Sequence, residues 1–192
     1  MPWVKPAQKS LEQWAIPTSD EKACLFLEGK SPFENAGYEF IGVDHFAKPD
    51  DKLIEARRNG TLHRNFQGYS THAGIDLFAV GLTSISETKT SYRQNYKAMP
   101  DYQKAVEDGI LPIEKGIVLN SEDILRRAVI MDIKCALKVN YGNYGVDFQK
   151  KFAEALEKLK AMEEDGLVEL EEESFRLSPT GLLCLRNIAL LY

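Results

Sequence analysis

YEFIGVDHFAKPDDKLIEARRNGTLHRNFQGYSTHAGIDLFAVGLTSIS, residues 38 to 86, is the stretch densest in chemistry, and its reading decides the fold. From His63 to Gly74 it packs His63, His72, Arg64, Gln67, two aromatic rings and two glycines between apolar runs. Tyr38 to Val43 combines aromatic and β-branched residues after a helix-ending Gly37, which reads as a buried strand. Asp44 and His45 then fall at the strand's C-terminal end. In parallel α/β sheets that end faces the ligand crevice, so the pair is a candidate catalytic pair able to orient a substrate or carry a proton. A satisfied pair buried at a strand end has the same pattern. Pro49-Asp50-Asp51 opens a short helix with acids in its first turn, and Asn59-Gly60 closes it. The loop beyond offers the guanidinium fork of Arg64 and the donor-acceptor amide of Gln67, and Asp76 to Ser86 reads as a second strand.

Composition narrows the function classes. With 44% hydrophobic and 28% charged residues over 192 positions, the chain suits one or two globular domains with a proper core. A net charge of −5 speaks against a nucleic-acid partner, which calls for a basic stripe. No apolar run approaches the length of a membrane span, so no membrane partner is expected. Cys24, Cys135 and Cys184 make no disulfide framework, and without a secretory leader the expected compartment is the reducing cytoplasm. The spacing of His45, His63 and His72 fits no local zinc pattern, so no metal ligand is assigned.

Outward from the stretch, Leu11, Trp14 and Ile16 offer a docking lead-in, and Thr18 or Ser19 caps a helix that Pro32 is expected to kink or split before Gly37. Gly29-Lys30-Ser31 is no phosphate loop, because Cys24 stands where the motif needs its first glycine. A short helix is expected near 99 to 108, then an extended segment from Ile110 to Leu119. Ser121-Glu122-Asp123 caps a helix with an apolar stripe through Ile124, Leu125, Ala128, Val129, Ala136 and Leu137. One long amphipathic helix carries Phe148, Phe152, Leu156 and Leu159 inward and ends at Gly166. A β-hairpin follows around Glu171-Glu172-Glu173, and Ser178-Pro179 starts a last helix through Leu191. Helix, helix, hairpin, helix is winged-helix-like. The division falls between about 89 and 118, giving domains 1–95 and 96–192.

GVDHFAKPDD, LHRNFQGYSTHAG, DLFAVGLTSIS, Gln94-Asn95, Arg126-Arg127 and SPTGLLCLRNI resemble the C-terminal half of the oxygen-independent coproporphyrinogen III oxidases. These radical S-adenosylmethionine enzymes of haem biosynthesis convert coproporphyrinogen III to protoporphyrinogen IX. The resemblance implies an α/β fold: the C-terminal part of a radical SAM (β/α) partial barrel, then a mostly helical, winged-helix-like domain. It implies S-adenosylmethionine and a 4Fe-4S cluster as cofactors of the intact enzyme, yet the CxxxCxxC cluster motif is absent from this sequence. The chain is therefore expected to be inactive alone, to partner the missing N-terminal half of the barrel in the same or another chain, and to self-associate through an open barrel edge.

By the same resemblance Phe66, Gln67 and Ile85 lie beside the second adenosylmethionine, an apolar wall with one amide. Ordinary barrel packing is the competing reading. Arg64, Arg126, Arg127 and Arg186 are candidates for the substrate's propionates, since guanidinium pairs carboxylate in a bidentate fork; surface ion pairs are the alternative. A non-catalytic winged-helix-type interaction module or an inactive remnant remains the rival function.

Overall fold

The computed structural model describes residues 9–11 and 16–192. Trp14 lies outside the described residues, and Leu11 and Ile16 are exposed. Helix α1 (Ser19–Asn35) starts at Thr18, whose hydroxyl accepts from the Glu21 backbone while the Glu21 carboxylate returns to the Thr18 N–H. The expected break at Pro32 does not occur: α1 runs through it. The proline sits in the last turn of a helix that buries none of its residues, so the carbonyl it leaves unpaired meets water, and Ala36 still donates to the Pro32 carbonyl.

β1 (Glu39–Gly42) and β2 (His45–Ala47) form an antiparallel hairpin, and Asp44 lies in its turn. This corrects the physical ground on which Asp44 and His45 were singled out: the strand they follow folds straight back on itself and pairs with no parallel neighbour. Helix α2 (Lys52–Arg58) is capped by Asp51, after which β3 (His63–Asn65) and β4 (Gly68–Ser70) make a second antiparallel hairpin. The expected strand from Asp76 to Ser86 shrinks to β5 (Ile85–Glu87), because Gly81 and Thr83 take positive φ and turn the chain. β5, β6 (Ser91–Asn95) and β7 (Ile113–Val118) form an antiparallel sheet in that order, with α3 (Met99–Glu107) in the β6–β7 connection. The sheet thus takes strands from both sides of residue 95, and β7 is an exposed edge.

Helix α4 (Ser121–Cys135) is the spine. Its cap is Asn120, one residue earlier than the sequence suggested, because the Asn120 side chain reaches the Asp123 N–H while Asp123 answers the Asn120 N–H. Val129 and Ile133 enter a core with Val139, Phe148, Leu159, Phe175, Leu185 and Ile188. Cys135, with Met131 against it, enters a second core with Ile41, Ala47, Ile54 and Leu62. One helix therefore fixes the hairpins against the C-terminal part.

That part is built from β8 (Lys138–Asn140), α5 (Phe148–Lys151), α6 (Ala153–Glu164), β9 (Val168–Glu171), β10 (Ser174–Leu177) and α7 (Leu185–Ala189), its sheet ordered β8-β10-β9. The long helix expected from Phe148 divides at Phe152, whose ring turns into an aromatic cluster 4.7 Å from Phe148 and 5.1 Å from Tyr192. The last helix also begins later than Ser178: residues 178–184 wind through i to i+3 bonds, Leu183 to Thr180 and Cys184 to Gly181, before α7. The mix of helices and strands and the winged-helix-like order of α4, α6, hairpin and α7 match the sequence reading. No helix among the described residues is long and apolar enough to cross a membrane.

Candidate functional site

The two hairpins lock together through glycines. Gly42 has φ +150°, and a Cβ there would meet the Tyr69 hydroxyl at 2.6 Å; Gly68 has φ +137°, and a Cβ there would meet His45 Nε2 at 2.9 Å. Each hairpin thus leaves room for a side chain of the other. Between Asn65 and Gly68 the Asn65 side chain accepts from the Gln67 N–H, an Asx turn that presents Phe66 outward. Phe66 meets Tyr92 of β6 edge to face, ring centroids 5.4 Å apart.

Tyr69 is the hub. Its ring receives His45 edge-on at 5.1 Å and the Arg64 guanidinium at 4.8 Å, while its hydroxyl donates to the Lys134 backbone carbonyl at 3.0 Å. Burial, reinforced by the adjacent Cys135 thiol, pushes the Tyr69 hydroxyl up to about 12, which keeps it a donor. His45 Nδ1 lies 2.6 Å from Asp44 Oδ1, but the approach is off the hydrogen-bond line, so Nδ1 has a charge contact and no aligned partner. Val43, just before them, holds φ 59°, a strained state for a β-branched residue, at the mouth of a cavity.

Three adjoining cavities make a groove. The first, about 240 Å³, is walled by Phe66, Ile85, Tyr92 and Ile117, with Arg93, Gln94 and Lys115 as polar groups. The second, about 590 Å³, shares Phe66 and Tyr92 with it and adds Arg64, Arg126, Arg127, Met131 and Lys134, with Glu87 and Asp123 as its two acids. The third, about 350 Å³, shares Arg64, Ile130 and Lys134 with the second and adds Val43 and Arg186. The groove brings together Phe66, Ile85 and all four candidate arginines. Gln67 is exposed and lines none of the three, and Asp44 and His45 approach only through Val43 and Tyr69.

The arginines differ in what they already hold. Arg126 donates to Glu122 at 2.8 Å and to the Tyr192 backbone oxygen at 2.7 Å. Arg127 donates to the carbonyls of Thr88 at 2.9 Å and Lys89 at 2.5 Å, which ties α4 to the β5–β6 turn. Arg64 has a buried Nη1 with no hydrogen-bond partner, and Arg186 is exposed at the rim of the third cavity.

Comparison with known proteins bears directly on the helix that carries three of these cations. Residues 119–184 match the HemN C-terminal domain family. This segment is similar to HemN C-terminal domains. Beyond it, the whole chain is 39% identical to an oxygen-independent coproporphyrinogen III oxidase of Synechocystis and 35% identical to one of Escherichia coli, each covering 43% of the relative. A solved structure described as the Escherichia coli coproporphyrinogen III oxidase, a radical SAM enzyme, superposes with a TM-score of 0.90 at 35% identity, covering all of this chain and 45% of that one. The chain thus spans less than half the length of these relatives.

The segment that matches that family supplies Arg126, Arg127, Ile130, Met131 and Lys134 to the groove; the hairpins and sheet before it supply Arg64, Phe66, Ile85 and Tyr92. Lys134 and Tyr92 were missed as groove residues in the sequence. Lys134 had a signal: it is seven residues after Arg127, two helical turns along one face. Tyr92 had none, since it reaches the groove by strand pairing. Among the described residues no three His, Cys, Asp or Glu side chains are grouped to hold a metal. Cys24 is exposed on α1, Cys135 lies in the hairpin core and Cys184 precedes α7, so the three do not fit the ligand set of an iron–sulfur cluster.

Proposed function

We propose that the chain is the C-terminal portion of an oxygen-independent coproporphyrinogen III oxidase, acting in the cytoplasm in the oxidative decarboxylation of coproporphyrinogen III to protoporphyrinogen IX. The observation that carries this reading is the groove itself: an apolar end joined to a cation-lined end, on a chain similar to such oxidases over its whole length. A tetrapyrrole with propionate arms is an apolar body bearing anions, and the groove has that division. Residues 1–95 supply the end of the barrel and the hairpins, and residues 96–192 the domain that closes over the substrate.

Adenosylmethionine, when bound, supplies the radical oxidation together with a cluster whose cysteines are not in this chain. Phe66, Ile85 and Tyr92 form the wall for one apolar part of that cofactor, since 240 Å³ is below the ~300–1,000 Å³ of a whole ligand site. Gln67, exposed in the turn beside Phe66, is the amide that a longer ligand leaving this wall would meet. Arg64 and Arg186 face the propionates, Arg126 and Arg127 brace the cation-lined end through their own hydrogen bonds, and Phe66 and Tyr92 wall the apolar end. Asp44 and His45, with Oδ1 and Nδ1 2.6 Å apart behind Tyr69, are the candidate catalytic pair. The exposed apolar side chains Leu111, Ile117 and Val118 at edge strand β7, with Phe78 and Val80 in the segment along β5 at the other edge, are the seat of the rest of the barrel, in the same or another chain; left bare they drive self-association.

The test is a chimera in which this chain replaces the corresponding 45% of the Escherichia coli oxidase. Anaerobic turnover of coproporphyrinogen III is expected. A folded, cluster-loaded chimera that binds adenosylmethionine but yields no protoporphyrinogen IX sinks the reading.

A further inference from the structure

Arg64 and Lys134 face the same space from two elements, and the carboxylates that share the second cavity with them are engaged elsewhere: Glu87 accepts from the Tyr92 hydroxyl and Asp123 from the Asn120 N–H. Both line the second and the third cavity, so they stand on the partition between the two, with Ile130 of α4 lining both as well and Arg186 at the rim. Among the described residues no acid lies within ion-pair distance of Arg64, Lys134 or Arg186, although Arg126, Arg176 and Arg58 all have one. Arg64 is held face-on over Tyr69, and that tyrosine is pinned to the Lys134 backbone, so the guanidinium and the lysine's turn of α4 are fixed relative to each other. Arg64 Nη1 is buried and unpartnered, the kind of donor a native fold leaves open for a ligand. Lys134 is half-buried, and burial and then Arg64 lower its proton affinity, as expected for a cation among cations. Arg126 and Arg127, by contrast, spend their donors on Glu122, Tyr192, Thr88 and Lys89.

The geometry points to a carboxylate-binding site formed by Arg64 and Lys134, with Arg186 as its outer wall: the guanidinium grips one carboxylate in a fork and the ammonium neutralises it from α4. Lys134 is thereby a substrate-binding residue, and Arg126 and Arg127 are framework. This assignment rests on the oxidase reading for the identity of the carboxylate, a propionate of the tetrapyrrole, and for nothing else.

The experiment uses the full chain with coproporphyrin III, the stable oxidised tetracarboxylate, beside its uncharged tetramethyl ester, and with succinate as a small dicarboxylate. By fluorescence titration, Lys134→Gln and Arg64→Gln each weaken the tetracarboxylate about tenfold, the scale of one charge-assisted hydrogen bond, and leave the ester's affinity unchanged. Succinate shifts the side-chain NMR signals of Arg64 and Lys134 in the wild-type chain. Without ligand, Lys134→Gln raises the melting temperature, because it removes an unanswered half-buried charge; a lysine in a structural ion pair lowers it when lost. Should Arg64→Gln fail to fold, Arg64→Lys keeps the charge without the fork and still weakens the tetracarboxylate. Unchanged tetracarboxylate affinity in the variants, or succinate that moves neither signal, overturns the site and leaves the oxidase reading standing. Succinate shifts without any tetracarboxylate binding uphold the site and count against the tetrapyrrole.

Discussion

The Tyr69 hydroxyl donates a 3.0 Å hydrogen bond to the Lys134 backbone carbonyl, across 65 residues of sequence. That carbonyl lies in the last turn of α4, where no intrahelical donor is available, so the tyrosine caps the helix and anchors the β3–β4 hairpin together. Arg64, stacked on the same ring, inherits its position from this bond.

Tyr69→Phe removes the donor and keeps the ring. The expected loss is about 1–3 kcal/mol of unfolding free energy, the cost of a buried acceptor left unmet. Urea denaturation followed by circular dichroism measures it, and an unchanged midpoint contradicts the anchoring role.

Gly68→Ala sets a methyl group 2.9 Å from His45 Nε2 at a backbone φ of +137°. Both the contact and the dihedral oppose it, and a loss of about 1–3 kcal/mol follows. The His45 ring resonances should shift in the same variant; if they stay in place, the hairpins do not interlock as described.

Arg127→Met takes two donors from the carbonyls of Thr88 and Lys89 and loosens the β5–β6 turn. Hydrogen exchange of amides 88 to 92 is expected to quicken. Affinity for a tetracarboxylate porphyrin should change less than in Lys134→Gln; a larger loss in Arg127→Met reverses the assignment of framework and binding roles.

Ile133 is fully buried on α4 in the C-terminal core. Ile133→Ala is expected to cost about 2–5 kcal/mol through lost burial and the cavity left behind. Thermal unfolding gives the value, and a cost under 1 kcal/mol would mean that α4 is not the spine.

Burial raises the hydroxyls of Tyr69, Tyr92, Tyr141, Tyr144 and Tyr192 above the ordinary value of 10, to about 12 for Tyr69. A phenol raised by folding contributes stability that is complete below its unfolded pKa and lost as pH climbs through the folded one. Between about pH 10 and 12 the chain should therefore lose stability, with tyrosinate absorbance appearing at the unfolding transition. Smooth ionisation of all five near pH 10 in the folded chain contradicts the burial.

Much of the fold was legible because local chemistry decided it. Thr18 with Glu21 and Asp51 are caps that act within three residues, the start of α4 was read to within one residue of its Asn120 cap, and the β9–β10 hairpin follows from its own alternation and acidic turn. Elements that depend on distant partners were not legible. Phe152 interrupts a helix because Tyr192 and Phe148 offer its ring a cluster, and the run from Asp76 to Ser86 turns instead of extending.

The candidate site divides in the same way. Its residue types were visible in HRNFQG and in Arg126-Arg127, where a guanidinium beside an aromatic run already implies an anion beside an apolar surface. Which guanidinium is free was decided only in three dimensions. Arg126 and Arg127 find acceptors at Glu122, Tyr192, Thr88 and Lys89, whereas Arg64 is drawn onto Tyr69 with its buried Nη1 left without a hydrogen-bond partner. A sequence fixes the charge of a side chain, but whether that charge is answered depends on which acceptors the packed chain brings within about 3 Å.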